Sequence, residues 1–293
     1  MAEDRNNNLY YKHSGRFSLP KLSLNISLSI IISAILALIY CLIDKYNPFI
    51  YIQAIITFFL VALLGIINSE FLLGSKVRNK AINIGYGLTI GFTTLYFSWL
   101  FWVYAVLDYK YSLLDIVLSP IGLLQTINAL NKVYVISVYS TQITGGSLLV
   151  LWLLESIFIV GGITYYTLSG QKFTVFCESC ENWCKGDKTF ELENKVELNT
   201  IKRVLEAKNL SYLKQLSIKS NTSPSWLRLY TRKCHNCSTT NTLTVSEINL
   251  KINNQGEVSE QEKEIISDLL ISSQETTQLE NICQEINTNA NQN

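Results

Sequence analysis

Four apolar runs constrain this chain more than anything else in it. They cover roughly Leu24–Ile43, Phe49–Ile67, Ile84–Leu107 and Leu148–Leu168, and none contains a Lys or Arg. At 1.5 Å of rise per residue, each is long enough to cross the ~30 Å hydrocarbon core of a bilayer. The charge is distributed to match. Of 24 Lys/Arg and 23 Asp/Glu, residues 1–170 hold ten and seven, whereas residues 171–293 hold fourteen and sixteen. Only the second part has the charge density of a water-soluble domain, so the chain divides into a membrane part and a soluble part. The first run is about twenty residues long, too long for the apolar core of a cleaved signal peptide, and no such peptide is expected.

Orientation follows from the basic residues. Arg5, Lys12, Arg16 and Lys21 precede the first span, and Lys76, Arg78 and Lys80 lie between the second and third. The other two loops carry only Lys45, Lys110 and Lys132. That bias places both termini and the second loop in the cytosol. Asp44-Lys45-Tyr46-Asn47-Pro48 reads as a polar break that makes spans one and two a hairpin. Tyr96, Trp99, Trp102 and Tyr104 crowd the outer end of span three, where headgroup-level aromatics are expected. In the third loop, Ile121, Leu124, Ile127 and Leu130 follow Pro120 at helical spacing. They predict a short helix in the outer interface, with a re-entrant segment as the alternative.

Two features inside the spans bear on function. Gly87 and Gly91 form a small-xxx-small step, which serves either packing within the bundle or a homo-oligomer face. Glu155 lies deep in span four with no cation in any span to pair it. A charge at that depth costs ~3 kcal/mol on insertion scales, so the acid is expected to be neutral or hydrogen-bonded, with Thr93, Thr94, Tyr96 or Ser98 as partners. It is either a tie between helices or a proton- or ion-coupled group.

The soluble part is organised by Cys177-x-x-Cys180 and Cys234-x-x-Cys237. Each pair offers two thiolates from one tight turn, and two such turns close a tetrahedral S4 site with no open position. A structural zinc ion is the expected occupant, with iron and a pair of disulfides as the alternatives. Cys184 is either a spare thiol beneath the site or a substitute for one of the four. Cys41 and Cys283 read as packing residues. Strands are expected over 174–176, 189–192, 226–231, 242–245 and 248–252, and short helices over 198–217. A charged helix is expected over 258–272, followed by a disordered Asn-rich end.

Several function classes are disfavoured. The only histidines are His13 and His235, and the membrane part shows no paired carboxylates, so the usual acid–base constellations are missing. Nucleic acid fits poorly. Residues 171–234 carry a net +5, but residues 235–293 carry −7, and neither a basic run nor an aromatic stacking platform is visible.

The segments Asn47-Pro48-Phe49-Ile50-Tyr51-Ile52, Gly74-Ser75-Lys76-Val77-Arg78-Asn79, Leu95-Tyr96-Phe97-Ser98-Trp99 and Phe176-Cys177-Glu178-x-Cys180-x-x-Trp183 together carry a resemblance. The chain resembles an uncharacterised bacterial family of four-span membrane proteins with a cytosolic Cys-x-x-Cys…Cys-x-x-Cys module. The resemblance covers most of residues 22–250. It implies a bacterial inner membrane and a metal module, and it implies no activity.

The expected architecture is a membrane all-α domain of four transmembrane helices plus a small cytosolic α+β zinc-ribbon-like domain. Its parts are a disordered tail at 1–21, the four-helix domain at 22–170, the zinc-ribbon-like domain at 171–253, and a charged helix with a disordered tail at 254–293. Besides the bilayer, the expected partner is a protein on the cytosolic side. The expected function is a non-enzymatic interaction or assembly module anchored in the membrane. The alternative is a small transporter or channel component that uses Glu155.

Overall fold

The computed structural model describes residues 9–47, 49–110, 112–138, 141–170, 175–193, 196–220, 223–252 and 257–290. The chain divides into two compact units, Ser14–Phe173 and Met1–His13 with Thr174–Asn293.

The first unit is built on four long helices, α1 (Leu19–Tyr46), α2 (Ile50–Gly74), α3 (Lys80–Val106) and α6 (Gly145–Ser169). All four are long and apolar enough to cross a membrane. Their outward side chains are large hydrocarbons such as Ile31, Ile35, Ile55, Phe59, Ile66, Phe92, Leu154 and Ile157, all more than half exposed. A surface of that kind suits lipid rather than water, and the protein is a membrane protein. Asn79 caps α3 by accepting from the amides of Ala81 and Ile82. α1 packs on α3 and α2, and α6 packs on α3 and α2, so the four form a closed ring in the order α1, α3, α6, α2.

Small residues decide how closely the ring closes. The step at Gly87 and Gly91 seats α6 within the same chain. A methyl group at Gly91 would stand 3.0 Å from the backbone of Val160, and one at Gly87 would stand 3.1 Å from Thr164. Between α3 and α6 lie α4 (Leu113–Val117), α5 (Pro120–Val133) and a hairpin of β1 (Ile136–Val138) with β2 (Thr141–Ile143). The predicted helix is thus present, with Ser119 as its N-cap and Pro120 in its first turn. Leu123, Ile127 and Leu130 pack on α3, whereas Ile121 and Leu124 lie on its exposed side.

In the second unit, β3 (Phe176–Cys177) pairs with β4 (Asn182–Trp183) rather than with the segment after Thr189. That segment is β5 (Lys185–Glu193), the edge of a four-stranded antiparallel meander. Its other strands are β6 (Ser225–Lys233), β7 (Asn241–Ile252) and β8 (Val258–Ile271). α7 (Leu198–Glu206), a 3-10 segment at Leu210–Gln215 and α8 (Ser273–Ala290) complete the unit. One core joins Leu192, Ile201, Leu205, Leu213, Leu227, Leu229, Leu243, Val245, Ile266, Leu269, Leu279, Ile282 and Cys283.

Two expectations from the sequence are overturned here. The helix expected over 258–272 is strand β8, and the helix lies after it, so residues 257–290 belong to the same unit as the cysteines. Alternation fails in β8 for two physical reasons. Residues 258–264 are exposed on both faces, and the register shifts beyond them, with Asp268 in the left-handed region at φ 48°. Burial therefore moves from Ile266 to Leu269 and Ile271, which breaks the period of two. Asp268 takes hydrogen bonds from Arg232 (2.6 Å), Thr242 (3.1 Å) and Thr244 (3.3 Å).

The N-terminal tail also departs from expectation. Residues 1–8 lie outside the described residues, but the amide of Leu270 donates to the Leu9 carbonyl (2.9 Å), and the amide of Tyr11 donates to that of Asp268 (2.8 Å). The tail thus extends the free edge of β8, where main-chain groups would otherwise lack partners. At the other end, residues 287–290 continue α8 rather than being disordered, and 291–293 lie outside the described residues.

The helix ring yields one prediction. Gly91→Leu should lower stability in detergent by ~1–3 kcal/mol through overpacking against Val160. Gly85→Ala, where a methyl group meets nothing within 4 Å, should melt within a degree or two of wild type. Thermal unfolding of both variants checks this, and equal melting would contradict the α3–α6 contact.

Candidate functional sites

Two constellations carry chemistry, one in each unit. In the soluble unit the Sγ atoms of Cys177, Cys180, Cys234 and Cys237 all lie within 4.8 Å of one another. Cys177 stands 3.5 Å from Cys237, and Cys237 stands 3.6 Å from Cys234. Zinc–sulfur bonds of about 2.3 Å give a tetrahedron with edges of about 3.8 Å, so the donor set has the size and softness for such an ion. The spacing of the two pairs singled out these four residues.

The local backbone explains why they converge. The first pair spans the β3–β4 turn, and the second lies between β6 and β7. β5 starts one residue after Cys184 and pairs Lys185 with Lys233, so both turns sit at the same end of the sheet. Each turn closes with a left-handed residue directly after its second cysteine, Glu181 at φ 50° and Ser238 at φ 52°. The second turn is tied down further. Ser238 donates its amide to the Cys234 carbonyl (2.9 Å), and its own carbonyl accepts from Asn241 (2.9 Å) and Ser273 (2.6 Å).

Proton affinity differs among the thiols. Burial opposes ionisation of Cys177, but hydrogen bonds from Thr240, the backbone at Cys180, Cys237 and Thr239 bring it down to about 6. Thr239, 2.9 Å from Cys237, lowers that thiol as well. Cys180 is pushed up to about 12, chiefly by its contact with Cys237. Cys184 stands outside the four. It is buried, its Sγ lies 3.8 Å from the Thr240 carbonyl, and burial with the nearby cysteines pushes its thiol up to about 12. Cys283 packs in the core of the second unit, and Cys41 is buried in α1.

The second constellation is a half-enclosed cavity of about 420 Å³ inside the helix ring. Glu155 lines it, but not with the partners the sequence suggested. The Tyr40 hydroxyl of α1 donates to Glu155 Oε1. Gln53 of α2 donates to the Tyr40 oxygen (2.6 Å), and Thr57 lies 3.0 Å from it. Thr93 and Thr94 instead return their hydroxyls to carbonyls of their own helix, and Tyr96 donates to Val117. The ring order gives the reason, because α6 faces α2 as well as α3. Polar residues spaced by four, Tyr40 with Asp44 and Gln53 with Thr57, turn one face of α1 and of α2 toward the acid.

Asp44 also lines the cavity. It belongs to the last turn of α1 rather than to a loop, so the membrane unit holds a second carboxyl group at this site. Trp99 and Trp102 do not form an outward belt. They meet Trp152 at centroid distances of 5.0 and 5.5 Å and line the same space. The signal for all this was present in the sequence as residue pairs at i,i+3 and i,i+4 on apolar helices.

Comparison with protein-family models, curated proteins and solved structures finds no match to this chain.

The left-handed residue after Cys237 is open to test. Ser238→Val places a β-branched side chain at φ 52° and should cost on the order of 1–2 kcal/mol. Ser238→Gly should be at least as stable as wild type. Melting of the two full-length variants measures the difference, and a harmless Val would contradict the turn geometry.

Proposed function

We propose that this chain is a small transporter or channel component of a bacterial inner membrane. In this reading both termini are cytosolic, and a zinc-ribbon-like soluble domain is stapled by one structural zinc ion. The observation that carries the activity is the cavity within the helix ring, where Glu155 is bound by Tyr40 of α1 and Tyr40 in turn by Gln53 and Thr57 of α2. A purely anchoring bundle needs no hollow, and a polar group at membrane depth is a functional candidate by default. An interaction module was the sequence's first reading, and the cavity favours its alternative.

The orientation is supported by the excess of Lys and Arg before α1 and between α2 and α3. An even number of crossings is supported by the pairing of residues 9–11 with β8, which needs the segment before α1 and the soluble unit on one side. The zinc assignment is supported by four sulfur donors within 4.8 Å of one another, two from each Cys-x-x-Cys pair. Cys177, Cys180, Cys234 and Cys237 would hold the ion. Four protein ligands leave no position for a substrate or water, so its contribution is to folding.

Two experiments test these readings. Purified full-length protein should contain about one zinc per chain. Cys180→Ser or Cys237→Ser should remove it, and Cys184→Ser should retain it. Loss of metal from the Cys184 variant alone would overturn the ligand set. For the activity, Glu155→Gln keeps a donor and an acceptor, so it should fold and melt near wild type yet fail to restore the phenotype of a deletion strain, because an amide cannot exchange a proton. Full restoration would return the acid to a structural role and sink the transport reading.

A further inference from the structure

The lining of the intramembrane cavity narrows what can occupy it. α3 and α6 supply an aromatic wall. Trp99 and Trp102 stand 5.4 Å apart, Trp99 and Trp152 5.0 Å, and Trp102 and Trp152 5.5 Å, with Tyr134 5.2 Å from Trp102. Every pair is edge-to-face, with interplanar angles from 71° to 84°. Rings set at right angles and in contact form a packed edge-to-face cluster rather than a stack, and that cluster lines one side of the cavity. α1 and α2 supply a polar wall of Tyr40, Asp44, Gln53 and Thr57, which Glu155 of α6 meets.

The ionisable lining is acidic only. Asp44 and Glu155 line the cavity, and no Lys, Arg or His is among the lining residues. Hydrogen-bonding capacity is also left over. Ser98, only 6% exposed, lines the space with no partner for its hydroxyl among the described residues, and Gln53 Oε1 is likewise without one.

Candidate occupants can be compared on these features. An anion would face two acids and the electron-rich faces of indoles. An inorganic cation wants a shell of six or more oxygens and gains little from three tryptophans. A lipid tail has no use for two acids. An organic cation uses everything present. Its charge meets the carboxyl groups, its carbon substituents fill the apolar volume, and indole faces bind its diffuse positive charge.

We propose that the cavity binds an organic cation of the quaternary ammonium, phosphonium or lipophilic amine class, held between the Trp99–Trp102–Trp152–Tyr134 cluster and the acids Asp44 and Glu155. The proposal rests on the solute-handling reading above and names its substrate class.

The test uses full-length protein in detergent and two probes of the same shape and opposite charge, tetraphenylphosphonium and tetraphenylborate. Three of the five tryptophans line the cavity, so occupancy should quench intrinsic fluorescence, with calorimetric titration as the second readout. Saturable phosphonium binding at least about tenfold tighter than borate binding is expected. Glu155→Gln should weaken it by at least about tenfold, and Trp102→Leu by about 2- to 30-fold, the range of one cation–π contact. If the Gln variant proves unfolded, the wild-type comparison of the two ions and Trp102→Leu still decide the matter. Equal affinity for both ions, or no saturable phosphonium binding by the folded wild type, would overturn the cation assignment. The broader solute-handling reading falls separately, by full restoration of the deletion phenotype with Glu155→Gln, whatever the probes do.

Discussion

In hydrocarbon a polar side chain has no water to turn to, and that constraint shapes the helix ring more than any apolar contact does. The spans meet it in two layers. In one, Asn25 reaches the Phe71 carbonyl (2.8 Å) and Ser75 (2.7 Å), while Ser29, Tyr86 and Asn68 form a chain of hydrogen bonds at 2.6 and 3.0 Å. In the other, Tyr40, Gln53 and Thr57 gather around Glu155. Glycines at positions 65, 87, 91 and 162 bring the backbones close along α2, α3 and α6. Close packing in membranes relies on such small residues, because lipid tails compete for every apolar face. Trp99, Trp102 and Trp152 line the cavity where the second layer lies.

The soluble unit solves a different problem. Its sheet lays its main core face on α7, the 3-10 segment and α8, and Trp226 and Ile248 are buried on the other face. Ion pairs decorate the sheet, among them Arg228 and Lys219 on Glu191 at 2.9 and 3.1 Å. Burial opposes ionisation of Glu191, but these two cations outweigh it and hold the carboxyl below its ordinary value. Such pairs add little where they are solvated. The four-cysteine cluster acts at the end of the sheet, where two turns with left-handed residues would otherwise have little to hold them together.

How much could be read in advance depended on whether a signal was local. Span length and apolarity are local, so all four helices were legible to within a few residues at most ends. The Cys-x-x-Cys turns were legible for the same reason. The strand before Cys234 was plain because Trp226, Leu227 and Leu229 are buried beside partly exposed Arg228 and Tyr230. β8 was misread because its bulge at Asp268 cancels the alternation and its first half is exposed on both faces. The partners of Glu155 were misread because they depend on the ring order of the helices, which no single segment encodes. Asp44 was assigned to a loop because a charged residue near Pro48 reads as punctuation. Its spacing of four from Tyr40 was the better guide.

The strand contributed by residues 9–11 has a consequence for how the molecule is made. Leu9 and Tyr11 leave the ribosome before any span, yet their hydrogen-bond partners, Leu270 and Asp268, are made only after all four. The opening segment must therefore wait, unpaired, through the insertion of all four helices. The sheet acquires its final edge only after residue 270 has been made. A nascent chain arrested before residue 268 carries residues 9–11 with nowhere to dock.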